Sequence, residues 1–225
     1  MENLSFEDHN KFLALGPTYH SHREEINRNP KWPDLWMVPD ESIIFERECI
    51  QIPSYISDVK PGVELTAVIG EEIWQASEQD AWESIKGFTI SNDVTATSEW
   101  PGWPESGKMK TNFGYKMFPT FSPVLSKYKH KKEITDCSEL EMNVKVDGED
   151  SIIGNTEEMH FSVPEMVSYV SYICKLNKGD LIALGDPGYP DVFLDNANNV
   201  SCYIESIGTL SNGIERVQSA DPPLR

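Results

Sequence analysis

The chain alternates short apolar runs with Pro, Gly and polar punctuation, and that pattern predicts many short strands and few helices. Phe12-Leu13-Ala14-Leu15, stopped by Gly16-Pro17, predicts a strand and a turn. Residues 43–52 and 54–69 predict further short strands, the last of them the β-rich run Val63 to Ile69. Leu140 to Val146 alternates apolar and polar positions and is followed by Asp147-Gly148, a hairpin signal. Asn177 to Asp180 predicts a turn, Leu181 to Leu184 a buried strand, and Asp186 to Pro190 a rigid loop. Val200 to Leu210 and Gly213 to Val217 predict the final strands. Two stretches carry helix signals. Ala76 to Lys86 has Ser77 as a cap, Glu78 and Asp80 near its start and Gly87 after its end; Val163 to Ser171 has Ser162 as a cap and Pro164 in its first turn. Asn29 to Asp34 contains two prolines and cannot be a regular helix. Residues 1–11 are expected to be loosely held, and the basic cluster Lys127 to Lys132 to be an exposed loop. The sum is an α+β chain that is mostly β.

Length and composition narrow the picture. The 225 residues suit a single domain over 1–225, with a core from about 11 to 217 and peripheral residues 1–10 and 218–225. No apolar run approaches the roughly 18 residues of a membrane span, and the first residues lack a basic region and an apolar signal core, so a soluble cytoplasmic protein is expected. Cys49, Cys137, Cys174 and Cys202 are far apart, with no Cys-x-x-Cys pair, and read as small apolar side chains or idle thiols. The net charge of −18, from 37 acids against 19 bases, argues against nucleic acid and anionic membrane as partners; it reflects either a high-salt habitat or a solvated acidic surface. An anionic substrate would approach against that field, so its site needs local positive charge.

Glu64 interrupts the apolar run Val63 to Ile69, and Asp93 ends another short apolar run, Gly87 to Asp93, where strand gives way to loop. A buried strand does not hold an unpaired carboxylate cheaply. Two acids at neighbouring strand ends would suit a hard cation such as Mg²⁺; the same pattern also fits a Glu64 paired with Lys or Arg and an Asp93 capping a turn. His22 and Glu25 lie three apart, so on a helical turn they share a face. Such a pair either raises imidazole basicity and holds a water for attack, or is a surface contact on a short charged helix. Trp100 and Trp103, in the Pro- and Gly-rich stretch Thr97 to Gly107, would line a pocket or cover a core edge.

Several blocks together resemble the fumarylacetoacetate hydrolase family. The strongest runs from Gly154 to Ser171; the others are Val63 to Gly70, Gly87 to Ala96, Lys116 to Pro123, Lys178 to Ile182 with Gly185-x-Pro187, and Ile207-Gly208-x-Leu210-x-Asn212. The resemblance implies a mixed β-roll, a homodimer, and a divalent metal, Mg²⁺ or Mn²⁺, that holds a 2-oxo acid and stabilises its enolate. It implies Glu64 and Asp93 as metal ligands, with a third carboxylate two residues before Glu64, where this chain has Gly62. It further implies His22 and Glu25 as a water-activating pair, Lys116 as a charge-stabilising group, and Tyr19 and Thr156 as neighbours of the substrate. Val38, Thr97, Ser98 and Trp100 depart from the family's pattern near the site. The leading expectation is hydrolysis of a C–C bond in an acylpyruvate-like acid. Dehydration, decarboxylation or tautomerisation of a related 2-oxo acid is the alternative, and a non-catalytic chain that kept the fold is a third.

Overall fold

The computed structural model describes residues 1–4, 10–97, 114–188 and 192–219. Ser98, Trp100, Trp103, Tyr189 and Pro190, named above, lie outside the described residues. Two sheets dominate the remainder. A nine-stranded mixed sheet contains Phe12–Gly16, Asp34–Met37, Val63–Ile69, Ile85–Asn92, Lys127–His130 and Leu181–Ala183 along its main path, and a five-stranded sheet contains Cys49–Pro53, Glu141–Val146, Glu149–Asn155, Asn199–Ile204 and Gly208–Val217. The protein is thus mostly β, with three short α-helices among the described residues: α1 (His20–Glu25), α2 (Glu78–Ser84) and α3 (Val163–Ile173). None of the helices described is long and apolar enough to cross a membrane.

The period-two rule places the core. Leu13, Leu15, Val63, Leu65, Ala67, Ile69, Phe88, Ile90 and Ile182 share one apolar cluster with Met142, Val144, Cys202 and Ile204 of the second sheet. The alternate residues Phe12, Ala14, Val68, Leu181 and Ala183 join Trp36 and Val38 in a smaller cluster on the opposite face. The central strand Val63–Ile69 is therefore buried along its whole length. A strand buried along its length favours apolar side chains, and Glu64 is the charged residue in it that marks the site.

Local signals explain most elements. Ser162 and Glu165 form the reciprocal capping box of α3, and Ser77 accepts from the Asp80 N–H at the start of α2. Asp147 and Gly148 both take positive φ, as the tight hairpin requires. Three expectations are corrected. Lys127 to Lys132 is not an exposed loop: Lys127–His130 is a strand with Tyr128 buried in it, because alternation puts that ring into the smaller cluster. The second helix stops at Ser84 and runs directly into Ile85–Asn92, so Gly87 is a strand residue; the Lys131 ammonium donates to the carbonyls of Trp82 and Glu83 and satisfies the helix end instead. The described residues among 1–11 are tied down at several points: Glu2–Asn3 pairs with Lys127–Tyr128, Asn10 donates to the Lys178 carbonyl, and Lys11 meets the buried Asp180 at 2.6 Å.

Gly87 is required by close approach: a Cβ there would lie 2.2 Å from the Lys129 carbonyl oxygen of the neighbouring strand. Gly87→Ala is expected to cost about 1–3 kcal/mol, typical of forced overpacking. Ser162→Ala is expected to cost about 1 kcal/mol through the lost cap. Urea unfolding of both variants checks this, and a Gly87→Ala loss smaller than that of Ser162→Ala would show that the strand spacing is not set by this contact.

Candidate active site

Three strands deliver three acids to one end of the large sheet. Val63–Ile69 pairs antiparallel with Ile85–Asn92 on one side, Glu64 facing Ser91, and with Leu181–Ala183 on the other, Thr66 facing Ala183. Asp93 follows the first neighbour; Asp186 follows the second by three residues. The Asp93 N–H donates to the Gly62 carbonyl at 2.7 Å and the Gly62 N–H to Asn92 Oδ1 at 3.0 Å, which fixes that corner. On the other side the Leu184 N–H donates to the Leu65 carbonyl at 3.0 Å. One carboxylate oxygen each from Glu64, Asp93 and Asp186 lies within 4.8 Å of the others.

All three acids are withdrawn from water, with Glu64 only 1% exposed. Burial, followed by the charges of Asp93 and Asp186, raises the Glu64 carboxyl well above the usual carboxylate range. Burial also raises Asp93, against the opposing charge of Lys116. Burial works the same way on Asp186, but the His22 imidazole, the Lys116 charge and the Gly188 N–H together hold it below the ordinary value. The Lys116 ammonium, itself buried, donates to Asp93 Oδ2 and to Thr95 Oγ1, the latter at 2.9 Å, and lies over the rings of Trp36 and Tyr115. His22 Nδ1 is 3.3 Å from Asp186 Oδ1. Burial disfavours the imidazolium, yet the Asp186 charge and contact raise His22 above its ordinary value.

The Lys116 ammonium and the His22 imidazole thus face three carboxylates, and Glu64 Oε1 is buried without a hydrogen-bond partner. An unmatched buried acceptor in an all-oxygen donor set is chemistry that suits a hard divalent cation. Oxygen ligands sit about 2.1–2.5 Å from such an ion, so three oxygens mutually within 4.8 Å can share one. The residues present fit the metal that the resemblance implies.

The sequence-predicted residues divide clearly. Glu64, Asp93, Lys116 and His22 meet at this cluster. Glu25 is on the same short helix as His22 and contributes to the His22 shift; a Cβ added at Gly188 would lie 2.9 Å from Glu25 Oε2. The partner of His22 given by the structure is Asp186, and the helix is held against the Asp186 loop by Ser21 Oγ donating to the Pro187 carbonyl at 2.6 Å. Tyr19 is wholly buried in the main core, its hydroxyl donating to Met142 Sδ at 3.1 Å. Thr156 is buried with its hydroxyl accepting from the Leu140 N–H. These contacts give both residues structural work, and the Tyr19 hydroxyl also feels the charges of Asp186 and Glu64. Val38 belongs to the apolar cluster beside Trp36, the ring under Lys116. Asp186 was read from sequence only as part of a rigid loop. Its one signal was an acid shortly after a buried strand, masked by the turn-forming neighbours Gly185, Pro187 and Gly188.

Comparison with known proteins bears on the family and the fold. Residues 11–215 match the family model described as fumarylacetoacetate (FAA) hydrolase C-terminal. An uncharacterised protein of Pyrococcus abyssi is 32% identical over 206 residues, 91% of this chain and 89% of its own length. The mitochondrial oxaloacetate tautomerase FAHD1 of Arabidopsis thaliana is 33% identical over 183 residues, 81% of each chain. Among solved structures, a 5-carboxymethyl-2-hydroxymuconate delta-isomerase from Mycobacterium smegmatis superposes with a TM-score of 0.79 at 27% identity, covering 97% of this chain and 83% of that one. With a matching fold, a family model spanning nearly the whole sequence and acids gathered where the resemblance expected a metal, the chain belongs to the fumarylacetoacetate hydrolase family.

Proposed function

We propose that this chain is a divalent-metal-dependent enzyme that moves a proton in a small 2-oxo acid, interconverting keto and enol forms. The observation that carries this is the pairing of His22 with Asp186 at the edge of a buried three-carboxylate cluster. A divalent ion bound there would supply Lewis-acid stabilisation to the enolate of a chelated 2-oxo acid. The chain's own groups supply the rest. His22 Nδ1 lies 3.3 Å from Asp186 Oδ1, which supports Nε2 as the atom that exchanges a proton with the substrate carbon. Lys116 brings positive charge into an acidic protein whose overall field repels an anionic substrate. The plant relative's name gives oxaloacetate as the first substrate to try, and the isomerase fold neighbour favours the same kind of proton transfer.

Hydrolysis of a C–C bond in an acylpyruvate is the second reading. It is favoured by Glu25, which shares α1 with His22 and adds to the rise in its basicity. Water attack needs a base held in a fixed orientation, and Glu25 would share that task with Asp186.

Two measurements separate the readings. Enol–keto interconversion of oxaloacetate and cleavage of a small acylpyruvate are followed by ultraviolet absorbance, with and without chelator. Activity lost on chelation and restored by Mg²⁺ or Mn²⁺ is expected; full activity in the chelated protein would remove the metal from the proposal. His22→Ala is expected to lower turnover by about 10²–10⁴-fold. For tautomerisation, Glu25→Ala should cost less than about tenfold. For hydrolysis, it should cost as much as His22→Ala, and the double variant little more than either. Full activity in His22→Ala would exclude both roles, and no turnover of any 2-oxo acid by the metal-loaded protein would favour a non-catalytic chain.

A further inference from the structure

Position 62 holds no side chain, and the surroundings of that position explain why. Gly62 is not among the residues with positive φ, so its backbone conformation does not call for glycine. The space beside it is limited. A Cβ at 62 would lie 3.2 Å from the Asp93 carbonyl oxygen, a tight contact, and 3.5 Å from both Cγ and Oδ2 of Asp186, an ordinary one, so the conflict begins with any longer side chain. A side chain there would grow into the volume that the Asp186 carboxylate occupies. Neither residue can move aside easily. Gly62 is bonded on both sides to Asn92 and Asp93, and the Asp186 loop is locked by the Gly188 N–H on Oδ1 at 2.8 Å and by Thr18 Oγ1 on the Leu184 carbonyl at 2.6 Å. Gly185, at φ +88°, leaves room for that threonine; a Cβ there would lie 1.9 Å from its hydroxyl oxygen.

The two oxygens of Asp186 have different surroundings. Oδ1 takes the Gly188 N–H and faces His22, whereas Oδ2 faces position 62. The unpartnered, buried Oε1 of Glu64 belongs to the same group of acids. We propose that Asp186 is the third carboxylate ligand of the cation centre, acting through Oδ2, and that Gly62 is the vacancy it needs. Positions 62 and 186 are then a reciprocal pair: one carries the carboxylate and the other must be small. This rests on the cluster being a cation site. It reverses the simplest expectation from sequence, that a glutamate restored at 62 would complete a deficient site. Here the count of three acids is already met, and a fourth would crowd and repel the others.

The test is a double-mutant cycle on the full chain: wild type, Asp186→Asn, Gly62→Glu and the double variant. Mn²⁺ and Mg²⁺ affinity is read by titration calorimetry, and the thermal midpoint is read separately in chelator. Asparagine keeps an acceptor for the Gly188 N–H, so Asp186→Asn should fold. It is expected to weaken Mn²⁺ binding by at least the 10–100-fold typical of losing even an outer-sphere partner. Gly62→Glu alone should lower the midpoint of the chelated protein. The double variant should recover both quantities relative to the single variants, because its one new carboxylate enters the volume relieved of charge. The pair is refuted if Asp186→Asn binds Mn²⁺ within about twofold of wild type, or if the double variant shows no recovery over either single variant. Absence of Mn²⁺ and Mg²⁺ binding in the wild type would instead overturn the cation site itself, and the pair with it. Binding by the wild type with unaltered binding by Asp186→Asn would leave the cation site standing on Glu64 and Asp93 and sink this inference alone.

Discussion

Repulsion among three buried carboxylates is the constraint around which this molecule is arranged. Each acid gives up hydration to enter the sheet end, and each raises the electrostatic cost of ionising the next. The nearby groups follow from that. Lys116 is drawn into a buried position on Asp93, over two aromatic faces that shield it from water. His22 is brought to Asp186 by a helix of six residues anchored to the same loop. The Ser91 hydroxyl eases the charge on Glu64 and contacts the Thr66 hydroxyl at 2.7 Å.

The double burial of Val63–Ile69 makes that constraint severe. Its odd-numbered residues fill the space between the two sheets, and on its other face Val68 joins the second apolar cluster while Glu64 and Thr66 are buried polar groups. A glutamate on an edge strand would be solvated and unremarkable. On a strand flanked by hydrogen-bonded neighbours on both sides, Glu64 is only 1% exposed and must be offset by groups of the protein. Sheet architecture, more than the identity of any one side chain, gives the acids their electrostatic leverage.

Much of this was legible in the sequence. Alternation around Leu140 to Val146, the Asp147-Gly148 turn and the Ser162 cap are local signals, and each was realised where it stood. Glu64 was legible because it contradicts its own apolar run. Asp186 was not, because within Gly185-Asp186-Pro187-Gly188 an aspartate is what any turn would use, and it does accept the Gly188 N–H as a turn aspartate should. Its place beside Glu64 and Asp93 depends on strand Leu181–Ala183 lying beside Val63–Ile69, a pairing that no local pattern encodes. The Lys127 to Lys132 segment misled for a related reason. Four lysines outweigh one tyrosine in any composition window, yet the buried Tyr128 decides the strand. The end of α2 was misplaced because its carbonyls are met by Lys131, nearly fifty positions later.

The parallel pairing of Phe12–Ala14 with Leu181–Ala183 has a consequence for biosynthesis. Those partners are separated by about 170 residues, and a ribosome adding about 5–20 residues per second reaches the second strand on the order of ten seconds or more after the first. Until then one edge of an apolar strand stands open, which is the condition that invites misassociation of nascent chains. The antiparallel neighbour Asp34–Met37 arrives much sooner and covers the other edge. The vulnerable interval is therefore set by chain length between partners, and the last large-sheet strand to be made both closes that edge and brings Asp186 up to Glu64.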